Sequence, residues 1–121
     1  MLIGRTFIGG DGDSYFTPLM PRQGNGVTTT FEIVAMSAGT IVTVKLFEKN
    51  SESTGDGSEN TSGSESRDSL GVTSFRNTAI MELVRYQVTI ASDGEPSAGD
   101  IFWAHFRILA PAWEASGAQS I

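Results

Sequence analysis

The single histidine of the chain, His105, is the first residue to weigh for catalysis, because any Ser-His-Asp arrangement would have to use it. It stands in an alternating apolar segment, two positions from both Trp103 and Arg107. The chain contains no Gly-x-Ser-x-Gly sequence, the sharp turn that presents a catalytic serine in one large class of hydrolases. We therefore expect His105 to be a surface imidazole and the protein not to be an enzyme.

Acidic residues are the next candidates, as metal ligands or as acid and base. Residues 9–14 resemble the start of a calcium-binding nonapeptide repeat, but its acidic sixth position falls on Ser14 and the motif occurs once. Residues 56–60 lack the spacing and the closing glutamate of an EF-hand loop. Three glutamates on predicted strands, which could form a pair across a cleft, are more simply explained as charges on an exposed sheet face. They are Glu32, Glu48 and Glu82. The sequence predicts no metal site, no cofactor and no catalytic residue.

Composition excludes further classes of function. The 121 residues include no cysteine, which rules out disulfides, zinc–thiolate sites, thiol nucleophiles and iron–sulfur clusters. The formal net charge is -6 and there is no run of lysine or arginine, so nucleic acid is not an expected partner. The N-terminus has no basic segment followed by a long apolar run, so we expect no secretory signal and no membrane partner.

Strands must position the candidate residues, because apolar residues alternate with period two rather than with the period of a helix. Residues 80–91 and 101–109 give the clearest alternation, and shorter strands are expected at 2–8, 15–17 and 70–75. Residues 28–36 and 40–49 also alternate, and the turn at 37–40 between them predicts a β-hairpin. Six to eight short strands predict an all-β fold, with residues 1–121 in a single antiparallel β-sandwich of jelly-roll or immunoglobulin-like type.

One segment departs from this pattern. Residues 51–69 contain no apolar residue and hold five acidic residues against one arginine, so they carry most of the net negative charge. A segment that can bury nothing cannot offset its ordering entropy, and nineteen residues exceed the usual length of a loop in a domain. We therefore expect a long, flexible, solvated loop at 51–69; a loop ordered by a partner is the alternative.

An aromatic strand and two arms are the candidate binding features. Trp103, His105 and Arg107 share the face of their strand opposite Phe102 and Phe106. Tryptophan and arginine are typical of protein interfaces; a sugar-binding platform and a covering layer within the chain are the alternatives. We expect residues 18–26 to form an extended arm with apolar tips, and residues 110–121 to form an extended C-terminal tail with one tryptophan. The predicted interface residues outside the strand are Leu19, Met20, Arg22 and Trp113.

Three features together resemble the small all-β accessory proteins of tailed-phage virions, such as capsid decoration or cement proteins and minor head or tail proteins. They are the alternating pair at 31–47, the polar segment from Lys49-Asn50-Ser51, and the ending at 103–113. The resemblance implies a non-enzymatic structural role in a symmetric particle, without a cofactor. The expected partners are a major capsid or tail protein and further copies of the chain, and the expected location is the virion after synthesis in the host cytoplasm. The alternative function is a carbohydrate-binding or adhesion module that uses Trp103 and Trp113, with a glycan as partner.

Overall fold

The alternating segments of the sequence form strands in the computed structural model, which describes residues 2–97 and 99–114. This part of the chain contains strands, turns and bends. The strands are β1 (Ile3–Gly9), β2 (Ser14–Phe16), β3 (Met20–Pro21), β4 (Gly26–Met36), β5 (Thr40–Lys49), β6 (Ser58–Arg67), β7 (Gly71–Asn77), β8 (Leu83–Ser92), β9 (Phe102–Ile108) and β10 (Ala112–Glu114). No helix in the described ranges is long and apolar enough to cross a membrane.

Two antiparallel sheets build the fold, and the predicted β-sandwich is confirmed. Sheet A has the order β1-β9-β4, with both β7 and β10 also paired to β4. Sheet B has the order β2-β8-β5-β6, with β3 following β2 along the same edge of β8. The count of ten exceeds the six to eight expected, because β3 and β10 are too short to show a period and β6 is polar throughout.

The core lies between the sheets and is made by the inward residues of each alternation. The predicted rows on β5, β8 and β9 are buried as expected, since every second residue of these strands is excluded from solvent. The rows comprise Val42, Val44 and Leu46; Val84, Tyr86, Val88 and Ile90; and Phe102, Ala104, Phe106 and Ile108. Across the core, the hydroxyls of Tyr86 and Thr29 are hydrogen-bonded at 2.6 Å, which joins sheet B to sheet A. Burial raises the pKa of Tyr86, and the bond to Thr29 partly offsets that rise.

The predicted β-hairpin of residues 28–36 and 40–49 is wrong. Both segments are strands, but β4 pairs with β7, β9 and β10 in sheet A, whereas β5 pairs with β6 and β8 in sheet B. The turn at 37–39 therefore crosses from one sheet to the other. Alternation requires one face of each strand to be buried, and packing two strands face to face meets that requirement as well as pairing them side by side.

The long loop expected at 51–69 is also wrong for its second half. Residues Ser58–Arg67 form β6, which pairs with β5 at the edge of sheet B. An edge strand can be held by its backbone hydrogen bonds, so polar side chains do not prevent it from forming. Asn60 anchors the strand, because its side-chain amide is buried and donates to Glu48 Oε1 at 2.9 Å and to the carbonyl of Thr78 at 3.0 Å.

The remaining loop, residues 50–57, is tied to the sandwich at three points. Lys49 Nζ donates to the carbonyl of Gly55 at 3.1 Å, and the backbone amide of Ser51 donates to Glu82 Oε1 at 3.1 Å. The guanidinium of Arg85 donates to the carbonyl of Asp56 at 2.8 Å. The loop is thus placed against sheet B by its own polar groups.

Candidate interaction surface

The outer face of sheet A, here called the sheet A face, brings together the predicted aromatic strand and its neighbours. On β9, Trp103, His105 and Arg107 point away from the core, as the sequence predicts, because Phe102 and Phe106 point into it. The pairing register sets Ile8 of β1 opposite Trp103 and Glu32 of β4 opposite Arg107. The register sets Val72 of β7 opposite Glu32.

Exposed apolar side chains are concentrated on this side of the molecule. In the part of the chain that the structure describes, ten large hydrophobic side chains are exposed. Eight of them lie on strands of sheet A or in the residues that flank those strands, and the other two are Leu19 and Met81. The eight are Leu2, Ile8, Val34, Leu70, Val72, Ile101, Trp103 and Leu109. Scattered exposed apolar residues are ordinary, so the grouping of eight of them on one of the two sheets is what marks this side as the candidate interaction surface.

Among the members that lie within strands, the two most exposed are on the outer strands β1 and β7. Ile8 is 65% exposed and Val72 is 55% exposed, while Trp103, the cross-strand neighbour of Ile8, is 38% exposed. Val34 is exposed and lies where a β-bulge shifts the register between β4 and β9. Its outward position follows from alternation with the buried Ile33.

The polar groups of the sheet A face are paired within the chain. The guanidinium of Arg107 forms an ion pair with Glu32, and Arg76 forms a bidentate ion pair with Glu114, with Nε–Oε2 at 2.6 Å and Nη2–Oε1 at 2.7 Å. His105 Nδ1 is hydrogen-bonded to Thr6 Oγ1 at 2.9 Å. The face therefore combines apolar side chains with charges that cancel locally.

The outer face of sheet B has a different character. Hydroxyls cross it in one row, with Ser14 bonded to Thr89 at 2.9 Å and Thr43 bonded to Ser66 at 2.7 Å. In this row Thr43 and Thr89 are direct cross-strand neighbours. Such hydroxyl rows are typical of a solvated sheet face. The two faces thus differ, because most of the exposed large apolar side chains belong to sheet A, whereas the outward Phe16 and Phe47 of sheet B pack against each other.

Trp113 does not join Trp103 on the sheet A face. Trp113 pairs with the buried Val27 and packs against the core, so it lies on the opposite side of sheet A. The sequence offered no partner for Trp113, and in the structure the core provides one. The joint platform of Trp103 and Trp113, on which the carbohydrate-binding alternative depends, is not formed.

The predicted arm at 18–26 is docked on its own sheet. Met20 pairs with Val84 and packs against the core, and the guanidinium of Arg22 donates to the carbonyl of Ile80. Of the arm's two apolar tips, Leu19 is the exposed one, at 42%. The structure therefore keeps Trp103, His105 and Arg107 together and separates Leu19, Met20, Arg22 and Trp113 from them. Of the expected C-terminal tail, residues 115–121 lie outside the described residues.

Sequence reasoning missed Ile8, Val34 and Val72. All three had a signal. Ile8 alternates with the inward Phe7, and Val34 alternates with the buried Ile33. Val72 stands at an outward position three residues before the buried Phe75. By contrast, the partnership of Arg76 with Glu114 had no local signal, because 38 residues separate the two.

Among the described residues, no group of three or more histidine, cysteine, aspartate and glutamate side chains is placed to hold a metal ion. Comparisons of this chain with protein-family models, with curated proteins and with solved structures found no match.

Proposed function

We propose that this chain is a non-enzymatic structural subunit of a larger symmetric assembly, and that it binds a neighbouring protein subunit through the sheet A face. The observation that carries the proposal is the concentration of exposed apolar side chains there, with Ile8 65% and Val72 55% exposed. In its specific form, the proposal is an accessory protein of a tailed-phage virion, which rests on the sequence resemblance.

The strand order supports a jelly-roll sandwich over an immunoglobulin-like one. With β2 and β3 taken as one interrupted strand, and with β10 set aside, the two sheets share eight strands in the orders β1-β9-β4-β7 and β2-β8-β5-β6. Successive strands change sheets at each connection in this part of the chain except that between β5 and β6. Eight strands in two such sheets are the pattern of jelly rolls, which are frequent in capsid and lectin domains.

The size of the sheet A face favours an assembly of many copies. Four strands about 4.8 Å apart, each about seven residues long at about 3.4 Å per residue, cover roughly 460 Å². A stable pairwise interface buries about 800 Å² on each partner. Contact through this face alone is therefore weak, whereas several such contacts within one particle reinforce one another.

The electrostatics of the face define its partner. On the part of the face that the structure describes, Arg107 is paired with Glu32 and Arg76 with Glu114, so each of these charges meets an opposite charge from the same chain. A partner needs no complementary charge, and an apolar protein surface fits best. This requirement argues for another subunit of the particle and against a nucleic acid.

Gradient sedimentation of particles from the producing cells tests the proposal. Wild-type protein, detected with an antibody, is expected to co-sediment with particles in a constant ratio to their major structural protein. In a variant with Ile8→Ser and Val72→Ser, the amount of protein that co-sediments with particles is expected to fall at least tenfold, because both changes remove exposed apolar groups without touching the core. The Thr43→Ala variant is the matched control, because it removes a hydroxyl from the outer face of sheet B.

Two results would overturn the proposal. One is wild-type protein found only in fractions free of particles. The other is a sheet A variant that co-sediments as well as the wild type while its melting temperature is unchanged. Circular dichroism of each variant shows that a loss of association is not a loss of folding.

A further inference from the structure

The last described strand, β10, rests in a recess that is shaped for it. From here on, the arm means residues Ala112–Glu114, and no longer the segment 18–26. The socket means Gly24, Asn25, Gly26 and Arg76. The backbone amide of Asn25 donates to the carbonyl of Glu114 at 3.1 Å. A Cβ on Gly24 would lie 2.0 Å from the carbonyl oxygen of Glu114, and one on Gly26 would lie 3.1 Å from its Oε2. Only glycine at position 24 leaves room for the backbone of the arm, and a larger residue at position 26 would crowd the Glu114 side chain.

The arm is held by strand pairing, by the packing of one tryptophan and by one ion pair. Its three residues pair with Gly26, Val27 and Thr28 of β4. Trp113 packs against the edge of the core, and Glu114 forms the bidentate ion pair with Arg76. This pairing lowers the pKa of Glu114, chiefly through the hydrogen bond from Arg76, and raises the pKa of Arg76.

A break in the sheet separates the arm from β9. Residues 109–111 belong to no strand, and Leu109 and Ala110 are exposed. The amide of Leu109 still donates to the carbonyl of Thr30 at 2.9 Å, but Pro111 has no amide hydrogen to continue the ladder. The arm is therefore joined to β9 by a three-residue linker in which the strand pairing is interrupted.

The socket and the sheet A face lie on the same side of the molecule. Arg76 is the cross-strand neighbour of Thr28, and Glu114 pairs with Gly26, so both charged side chains point outward from sheet A. Facing sheets pack about 10 Å apart. The four Cα–Cα steps from residue 108 to residue 112 span at most about 14 Å. In a pair of copies joined through this face with their two sockets opposite each other, each arm is thus within reach of the other copy's socket.

We propose that copies of this chain exchange arms, so that Ala112–Glu114 of one copy occupies the socket of a second copy. The exchanged arm makes the same strand pairing, tryptophan contact and ion pair as the arm in its own socket, so exchange changes mainly the linker. The inference rests on the proposed function in one respect, since assembly brings the copies together. The partner is a second copy of the chain, and the ligand is a short strand with an aromatic residue followed by a carboxylate.

Charge reversal tests the exchange on purified protein. In Arg76→Glu alone, and in Glu114→Arg alone, the socket and the arm of the same copy carry like charges. When the two variants are refolded together, reciprocal exchange restores both opposite-charge pairs. Native mass spectrometry, with one variant isotopically labelled, is expected to show the mixed dimer at least tenfold in excess over either homodimer. A mixture that contains only monomers, at concentrations where wild-type dimers are observed, overturns the exchange.

Cysteine pairing provides a second measurement that does not depend on the ion pair. Ala112 and Thr28 face each other across β10 and β4, and the chain has no cysteine of its own. Cross-strand cysteines meet the distance needed for a disulfide. After co-refolding and mild oxidation of Thr28→Cys with labelled Ala112→Cys, peptide mapping is expected to find the cross-link between copies. In the control, Thr43→Cys on the other sheet takes the place of Thr28→Cys in the mixture, and no cross-link between copies is expected.

The outcomes separate this inference from the proposed function. A cross-link that forms within the double variant but never between the two single variants overturns arm exchange, and co-sedimentation with particles then still decides the proposed function. Mixed dimers from a protein that is never found in particles support arm exchange and overturn the proposed function.

Discussion

The fit between the arm and Gly24 makes Gly24→Ala the sharpest perturbation of this fold. The added Cβ would lie 2.0 Å from the carbonyl oxygen of Glu114 and 2.8 Å from its carbonyl carbon. Both are backbone atoms, so a side-chain rotation cannot relieve the clash. We expect β10 to leave β4 and Trp113 to leave the edge of the core.

The size of the effect follows from the burial of Trp113. A tryptophan buries about 150–250 Å² when fully enclosed, so a half-buried one loses about 100 Å² of contact, or about 2.5 kcal/mol at about 25 cal/mol per Å². For a domain of this size, about 1 kcal/mol shifts the melting temperature by about 4–8 °C. The expected decrease in melting temperature is therefore about 10–20 °C.

Tryptophan fluorescence and thermal melting measure the two parts of this prediction. In a Trp103→Phe background, Trp113 is the remaining tryptophan, and its emission is expected to move to longer wavelength in Gly24→Ala. Gly94→Ala is the matched control, because a Cβ at Gly94 meets no atom within 4 Å. If Gly24→Ala melts within 2 °C of its background and emits at the same wavelength, the proposed role of the glycine is refuted (about 2 °C corresponds to less than about 0.5 kcal/mol here).

Four further predictions concern the polar contacts. The Tyr86→Phe variant leaves the buried hydroxyl of Thr29 unpaired, so it should lower the free energy of unfolding by about 1–3 kcal/mol. In a double-mutant cycle measured by urea unfolding, Tyr86→Phe combined with Thr29→Val should cost less than the sum of the two single changes. Because the folded pKa of Tyr86 is raised, the fold should lose stability as the pH rises above 10.0, and Tyr86→Phe should lose less; equal losses would contradict this. Because Arg76 lowers the pKa of Glu114 from its ordinary 4.5, docking of the arm is favoured above that pH and should be lost as the pH falls through the lowered value. The loss should appear as a red shift in the fluorescence of Trp113, and the Arg76→Ala variant should not show this pH-dependent shift. Asn60→Ala takes a donor from a buried carboxylate and should lower the free energy of unfolding by about 2–3 kcal/mol, so a change below about 0.5 kcal/mol would count against the anchoring role.

Alternation predicted the core and the outward face of β9 because both depend on local geometry alone. Successive residues of a strand point to opposite sides, so burying Phe102 and Phe106 places Trp103, His105 and Arg107 outside, whatever the neighbouring strand is. The same reasoning could have found Ile8 and Val72. It reaches any residue whose orientation follows from its own strand.

Strand partners were not predictable in the same way. The segments around Phe31 and Val44 alternate equally well whether they pair side by side or face each other across the core, so the hairpin and the sandwich crossing have the same local pattern. The strand Ser58–Arg67 has no apolar row, and its stability depends on backbone pairing and on the buried amide of Asn60. Those contacts join residues ten or more positions apart, and composition does not indicate them.

The distribution of charge gives the sheet A face a second role in assembly. Of 8 basic and 14 acidic residues, the face holds Arg76, Arg107, Glu32 and Glu114, which cancel, so the net charge of -6 belongs entirely to the rest of the chain. Copies that approach through other surfaces meet like charges, whereas copies or partners that approach through this face do not. Repulsion between the other surfaces thus favours the same approach, through the sheet A face, that apolar contact favours. Because added salt screens the repulsion but not the apolar contact, it should weaken the preference for this face more than it weakens the contact itself.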